Sequence, residues 1–150
     1  MAHSFANVLV HVIFGTKDRR PSILPEIRPL LFAYMGGVLA EAGAAPLIIN
    51  GTSDHAHALF GLPWTLAVAD LLRVLKTNSS RWLHEEFPRA GDFAWQSGYG
   101  AFSVSQSNRA EVQKYIADQE EHHKHVSFQE EFLAFLKRHG IAYDERYVWD

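Results

Sequence analysis

Apolar residues in this chain form two patterns, short continuous runs and longer stretches in which they recur every three or four positions. The short runs are rich in β-branched and aromatic residues and predict strands. They lie at 8–14, 46–51 and 55–61. The longer stretches cover 25–43 and 65–87 and predict two amphipathic helices. Between the second and third strands, Asn50–Gly51 favours a tight reversal.

Shorter elements follow in the second half of the chain. Residues 93–104 predict a broken strand or hairpin, Ser107 can cap a helix running to about His123, and Ser127 can cap a last helix that ends at Gly140. The order is strand, helix, strand, strand, helix, strand and then further helices. It predicts an α+β fold with a ferredoxin-like split βαβ layout. We expect a mostly antiparallel sheet with helices on one face plus C-terminal helices.

Length and composition narrow the choice of chemistry. With 150 residues and no linker rich in Pro, Gly or Ser, the chain is expected to form a single domain over 1–150. The absence of cysteine excludes a thiolate nucleophile and leaves the nine histidines, with Asp, Glu and Gln, as metal ligands. No apolar run approaches the roughly 20 residues that span a bilayer, and no signal peptide is visible. We therefore expect a cytoplasmic protein without a membrane partner.

The net charge of the chain argues against a nucleic-acid partner, but the distribution of the charges weakens this conclusion. The net charge of −3 is unlike the basic excess that is typical of DNA-binding proteins. However, residues 1–110 carry nine basic and eight acidic residues, whereas residues 111–150 carry five and nine. The acidity is therefore concentrated in the last quarter of the chain, and a basic face remains possible elsewhere.

His55 and His57 form the first candidate site. Residues two apart on a strand point to the same face, so both imidazoles can reach one ion. Asp54 can orient one of the rings by accepting a hydrogen bond. The alternative is a pair of polar side chains on the solvent face of an amphipathic strand. An isolated His-x-His pair does not decide between the two.

Two further candidates lie on the predicted late helix. Tyr115 and Gln119 are four residues apart and share one face, so a phenol nucleophile and an amide metal ligand would lie together. The alternative for Tyr115 is a half-buried core aromatic. The run 122–125, His-His-Lys-His, has metal-binding residue types that fan around more than one helix face. We interpret it as a solvated helix end with cations near the negative end of the helix dipole.

Basic side chains that suit phosphate contacts occur in two segments. One follows the first predicted strand and the other lies on the second helix. The candidate DNA-binding residues are Lys17, Arg19, Arg20, Lys76 and Arg81. An ordinary solvated face would have the same composition.

These residues belong to a longer series of motifs that resembles the single-tyrosine HUH transposases of small bacterial insertion sequences and the related REP-associated tyrosine transposases. The resemblance runs almost from end to end of the chain. Its motifs lie at 11–21, 49–51, 54–57, 76–82, 95–103, 115–123, 127–132 and 143–147. The sequence departs from the family at Ala56, where a larger aliphatic residue is usual, and in its overall acidity.

The resemblance implies a DNA transposase that cleaves and rejoins single-stranded DNA. Tyr115 would attack the scissile phosphate and form a 5′-phosphotyrosine. His55, His57 and Gln119 would bind a divalent metal, Mg²⁺ or Mn²⁺, that polarises the phosphate.

The implied partners are single-stranded DNA with hairpin ends and a second copy of the chain. In the family, dimers share a sheet, and the tyrosine helix of one subunit can complete the partner's histidine site. Two alternatives remain open. One is a catalytically silent DNA-hairpin-binding protein of the same fold, and the other is a small dimeric α+β domain that binds a metal or a ligand.

Overall fold

The computed structural model describes residues 3–150, so the first two residues of the expected domain lie outside it. Strands and helices alternate as the hydrophobic pattern predicts, within three residues at each boundary of the first five elements. The strands are β1 (Leu9–Gly15), β2 (Ala45–Gly51), β3 (His55–Gly61) and β4 (Gly100–Val104). The helices are α1 (Arg28–Glu41), α2 (Val68–Glu86), α3 (Arg109–Ala117), α4 (Gln119–His122) and α5 (Phe128–Arg138).

The four strands form one sheet in the order β2-β3-β1-β4, with every neighbouring pair antiparallel. The helix α1 connects β1 to β2, and α2 connects β3 to β4. This is the predicted ferredoxin-like layout, and it places β1 and β3 side by side in the centre. Their register sets His57 opposite Ile13 and His55 opposite Gly15.

One face of the sheet carries the larger hydrophobic core. Val10, Val12 and Phe14 of β1 alternate towards this face and pack with α1 and α2. From β3, Ala56 and Phe60 join the same cluster, each fully buried. The small residue at position 56 therefore affects packing against the helices and lies on the opposite face from its two histidine neighbours.

The other face is covered by the C-terminal helices. Ile13 packs with aromatic residues of α5, and Leu9 packs with Ile116 of α3. His55 and His57 point to this face and are fully buried beneath it. The alternative in which the two histidines lie on a solvent-exposed strand face is therefore wrong.

Two predictions for the second half of the chain are confirmed only in part. The helix expected from Ser107 to about His123 begins at Arg109 without a side-chain cap, and it is interrupted at Asp118, where ψ is +18°. Of the two alternatives predicted for 93–104, the structure has the broken strand and not the hairpin, since the segment forms β4 and one isolated bridge between Trp95 and Thr16. The backbone of 94–96 hydrogen-bonds to Gly15 and Lys17 at the end of β1, so it cannot pair with a second hairpin strand.

The predicted cap at Ser127 and the predicted helix end at Gly140 are confirmed. The Ser127 hydroxyl caps α5 by accepting a hydrogen bond from the Glu130 amide. Gly43 and Gly140 follow helices with φ of +94° and +67°, which only glycine adopts readily. Among residues 3–150, no helix combines the length and apolar character needed to cross a membrane.

Candidate active site

The two histidines of β3 form the base of a buried polar cluster between the sheet and the C-terminal helices. Both side chains are fully buried. The ring of Phe128 stacks on His55 with a centroid separation of 4.7 Å. That contact depends on Gly15 in the neighbouring strand, because a Cβ there would lie 2.6 Å from the Phe128 ring. The sheet register and one glycine thus bring α5 close to the histidines.

His55 is oriented by the loop that precedes it. Its Nδ1 lies 2.8 Å from Oδ1 of Asp54 and 3.1 Å from the hydroxyl of Thr52. Burial alone would raise the pKa of Asp54, but the hydrogen bonds from His55 and Thr52 and the nearby imidazoles together outweigh burial and lower that pKa. An Asp54 carboxylate that accepts the Nδ1 proton leaves a lone pair at Nε2, directed into the cluster. There Nε2 lies 3.0 Å from Oε1 of Gln119.

His57 is held on both of its ring nitrogens. Its Nδ1 shares a 2.8 Å hydrogen bond with Nε2 of His11, and its Nε2 lies 2.8 Å from Oε1 of Glu131. Burial lowers the pKa of His57 to about 4, even though Glu131 acts in the opposite direction. The ring is therefore neutral at pH 7, as a metal-ligating imidazole must be.

Glu131 was not among the residues predicted from the sequence, yet it lies at the centre of the cluster. Its carboxylate is only 1% exposed. One oxygen faces the histidines, and the other accepts hydrogen bonds from the hydroxyl of Tyr115 and, at 3.2 Å, from the amide of Gln119. Burial alone would raise the pKa of Glu131, but the surrounding imidazoles hold it well below its usual range.

A sequence signal for Glu131 exists in the pattern of α5. Phe128, Phe132 and Phe135 mark the apolar face of the helix. Glu131 is three residues after Phe128 and four before Phe135, so the same periodicity puts it on that face. A carboxylate at such a position needs a buried partner, so the pattern indicates that Glu131 makes a buried polar contact.

Tyr115 reaches this cluster from α3. Its ring is half-buried, and its hydroxyl donates to Glu131 and lies 3.3 Å from Nε2 of His122. Burial, together with the adjacent Glu131 carboxylate, raises the pKa of the Tyr115 phenol well above its usual range. The phenol, both histidines and Gln119 thus meet within one chain.

The interpretation of 122–125 as a solvated helix end is wrong for two of its residues. The side chain of His123 is 9% exposed, and its Nε2 lies 3.1 Å from Oε1 of Glu131. His122 lies 3.4 Å from the other carboxylate oxygen, whereas His125 is exposed. The break at Asp118 and the return of α5 across the sheet turn these histidines inwards, which a single straight helix would not do.

The basic candidates flank the segment 94–98. Lys17, Arg19 and Arg20 lie in or beside a short 3-10 turn after β1, and the Lys17 amide donates to the carbonyl of Ala94. Arg19 stands over the Trp149 ring at 5.2 Å and adopts a positive φ of 56°. The turn thus holds an arginine in a backbone conformation that is unusual for this residue type.

On α2, the two basic candidates differ. The Lys76 ammonium donates to the carbonyls of Gln96, Ser97 and Gly98 at 2.5 to 3.2 Å, so it organises the chain before β4. Burial lowers the pKa of Lys76 to about 8. Arg81 is exposed and donates to Asn78.

Comparison with known proteins places the chain among transposases. A family model described as "Transposase IS200 like" matches residues 4–119. The ISDra2 transposase TnpA of Deinococcus radiodurans is 27% identical over 114 residues, which cover 73% of this chain and 81% of that protein. The transposase of insertion sequence element IS200 from Salmonella typhimurium is 29% identical over 130 residues, covering 83% and 84%.

Two solved structures share the fold. One, described as a transposase from Deinococcus radiodurans R1, superposes with a TM-score of 0.64 at 24% identity, over 79% of this chain and 96% of that one. The other is a REP-associated tyrosine transposase bound to a REP hairpin, with a TM-score of 0.61 at 13% identity, over 84% and 74%. The predicted resemblance is confirmed. Because the family model spans most of the chain, including the histidine pair, Tyr115 and Gln119, this protein belongs to the IS200-like family of DNA transposases.

Proposed function

We propose that this transposase cleaves and rejoins single-stranded DNA, with Tyr115 as the nucleophile and a divalent metal at the histidine pair. One observation carries the proposal. The Tyr115 hydroxyl donates to the same buried carboxylate that His57 contacts at 2.8 Å. A phenol and an imidazole pair therefore lie side by side, as an attacking group and a metal-held phosphate require.

The side chains fit a metal ion. His57 is neutral, and His55 gives its Nδ1 to Asp54 and turns Nε2 inwards. In the tautomer that donates its Nδ1 proton to Asp54, the Nε2 lone pair faces Oε1 of Gln119, and a cation between these two acceptors would stabilise them. We propose His55, His57 and Gln119 as ligands of Mg²⁺ or Mn²⁺. When bound, such a cation neutralises charge on the scissile phosphate.

The covalent step follows from the position of Tyr115. Its phenol oxygen bonds to the phosphorus of one internucleotide linkage, and the bond from phosphorus to the 3′-oxygen breaks. The phenol loses one proton and the released 3′-oxygen gains one, so the products are a 5′-phosphotyrosine and a free 3′-hydroxyl. Attack by another 3′-hydroxyl on the phosphotyrosine rejoins DNA and restores the phenol. One phosphoester replaces another at each step, so no nucleotide triphosphate is consumed.

We propose single-stranded DNA with hairpin ends as the substrate. We also propose that residues 1–150 form a single domain, which binds this DNA. Support comes from the structural relative that is bound to a REP hairpin. Phosphate contacts are assigned to Lys17, Arg19, Arg20, Lys76 and Arg81. Three of these side chains, those of Lys17, Arg20 and Arg81, are exposed.

We further propose that the protein is a homodimer. In the described part of the chain, β2 and β4 form the two edges of the sheet. An edge strand presents unpaired amide and carbonyl groups, and pairing with a second copy would satisfy them. Sedimentation velocity at micromolar concentration checks the expected mass of two chains.

Covalent capture tests the proposed chemistry. A hairpin oligonucleotide labelled at its 3′ end is incubated with the protein and Mn²⁺, and the products are separated on a denaturing gel. We expect a labelled band at the mass of protein plus DNA, absent for Tyr115→Phe and unchanged for Tyr147→Phe. Tyr147 is a matched control because its side chain is exposed and hydrogen-bonds to no group of the cluster. Hairpin binding without any adduct would contradict the proposal and indicate a non-catalytic DNA-binding protein.

A further inference from the structure

Three imidazoles in this protein converge on one carboxylate oxygen. Oε1 of Glu131 lies 2.8 Å from Nε2 of His57, 3.1 Å from Nε2 of His123 and 3.5 Å from Nε2 of His55. Taken together, the four donor atoms all lie within 4.8 Å of one another. Such convergence of donor atoms is a requirement for binding a single metal ion.

Two buried groups in this cluster, Nε2 of His123 and the carboxylate of Glu131, are not fully satisfied by their neighbours. Nε2 of His123 is buried, and although Oε1 of Glu131 lies 3.1 Å away, the contact does not have hydrogen-bond geometry. A buried polar atom without a well-aligned hydrogen bond destabilises the folded state. In addition, every ion-pair contact of the buried Glu131 carboxylate within the described chain is to a histidine. A cation at the point of convergence would give His123 a partner and would neutralise the carboxylate.

We infer that His123 and Glu131 are metal ligands together with His55 and His57, and that this site prefers a divalent transition-metal ion over Mg²⁺. The inference builds on the proposed function, since it concerns the same histidine pair. Three imidazole nitrogens and one carboxylate oxygen form a donor set that suits ions such as Mn²⁺, Co²⁺ or Zn²⁺. Mg²⁺ instead prefers six oxygen ligands in octahedral geometry and keeps several waters.

The two added donors come from a part of the chain that the family model does not cover. That model matches residues 4–119, whereas His123 and Glu131 follow its end. His123 is four residues after Gln119, so both lie on one side of the turn around α4. Glu131 arrives from the opposite side, on α5, whose approach depends on the Phe128 contact with His55. The ligand set is thus a property of how the C-terminal helices fold over the sheet.

Cobalt titration tests the inference without measuring activity. Metal-free protein, prepared by dialysis against EDTA, is titrated with Co²⁺, and its visible absorption reports coordination by nitrogen ligands. We expect His123→Ala and Glu131→Gln each to weaken Co²⁺ binding by at least about tenfold. His125→Ala, an exposed change in the same run of histidines, should leave Co²⁺ affinity unaltered. A hundredfold excess of Mg²⁺ should not displace the bound Co²⁺.

Thermal unfolding of each metal-free variant separates loss of a ligand from loss of the fold, and His123→Asn serves where the alanine variant is unstable. Wild-type affinity in both His123 and Glu131 variants, or displacement of Co²⁺ by equimolar Mg²⁺, would overturn the inference. Failure here is distinguishable from failure of the proposed chemistry. Covalent adducts that still form with Mg²⁺ would leave Tyr115 and the histidine pair in place, whereas strong Co²⁺ binding without adducts would do the reverse.

Discussion

Glu131 couples Tyr115 to the histidine pair, because each carboxylate oxygen contacts a different group. Oε1 faces the imidazoles, and Oε2 accepts from Tyr115 and Gln119. The sequence indicated both histidines, Tyr115 and Gln119 through their spacing and their motifs. Glu131 has only the weaker signal of its place on the apolar face of α5, since a glutamate on a helix is usually solvated and only the tertiary fold supplies its buried partners.

At the level of single residues, His11 is predicted to position His57. His11 is 2% exposed, and its Nε2 shares the 2.8 Å hydrogen bond with Nδ1 of His57. Replacing His11 by Phe preserves an aromatic ring beside Phe102 and Phe135 but removes that hydrogen bond. We expect Co²⁺ affinity to fall by about ten- to a hundredfold, because loss of a group that orients a metal ligand typically has this effect.

The control for this variant is His11→Gln, whose amide can still hydrogen-bond to His57. Isothermal titration with Co²⁺ should show at least partial recovery of affinity relative to His11→Phe. Equal affinity in wild type and His11→Phe, with both proteins folded by circular dichroism, would show that the ring of His11 contributes packing alone.

At the level of elements, the sequence predicts the order from β1 to α2 because each of these elements has a strong hydrophobic period and clear ends. The break at Asp118 has no such signal. Asp118 is neither proline nor glycine, and the residues around it continue a helical pattern. The interruption arises from tertiary contacts, including hydrogen bonds from the Asn50 side chain to the carbonyls of Ile116 and Ala117. Local helix propensity does not indicate a hydrogen-bond partner 66 residues away.

The approach of α5 to the sheet is predicted to depend on Gly15. An added Cβ at this position would lie 2.6 Å from the Phe128 ring and 3.1 Å from Oε1 of Gln96. We expect Gly15→Ala to lower the free energy of unfolding by about 1–3 kcal/mol, since overpacking in a filled core has this cost. The displacement of α5 should also weaken Co²⁺ binding, because Glu131 moves with the helix.

Gly37→Ala provides the matched control for that change. Gly37 lies within α1, and an added Cβ would meet nothing within 4 Å. Because alanine favours helix more than glycine, we expect this variant to be as stable as the wild type or more so. Urea unfolding of both variants measures the difference. A Gly15→Ala protein with unchanged stability and unchanged Co²⁺ affinity would show that α5 does not need the close contact.

At the level of the whole molecule, the sheet separates two functions. The face that packs on α1 and α2 holds most of the hydrophobic core, and the opposite face holds the polar cluster beneath the C-terminal helices. The acidic last quarter of the chain, which first argued against a DNA partner, supplies Glu131 to that cluster. One of its charges is therefore buried inside the protein and does not contribute to the charge of the surface.

For the proposed dimer, mixed subunits test which tyrosine serves each histidine pair. In this structure Tyr115 contacts Glu131, and Glu131 contacts His57 of the same chain, so each chain carries a complete set of groups. We expect each subunit to use its own tyrosine. A mixture of His57→Ala and Tyr115→Phe proteins, unfolded and refolded together to exchange subunits, should then remain inactive in covalent capture. In every dimer of that mixture, each chain would lack either one imidazole of its histidine pair or the phenol hydroxyl at position 115. An adduct that appears only on mixing would require the tyrosine of one subunit to serve the histidines of the other, and α3 would have to move away from Glu131 to do so.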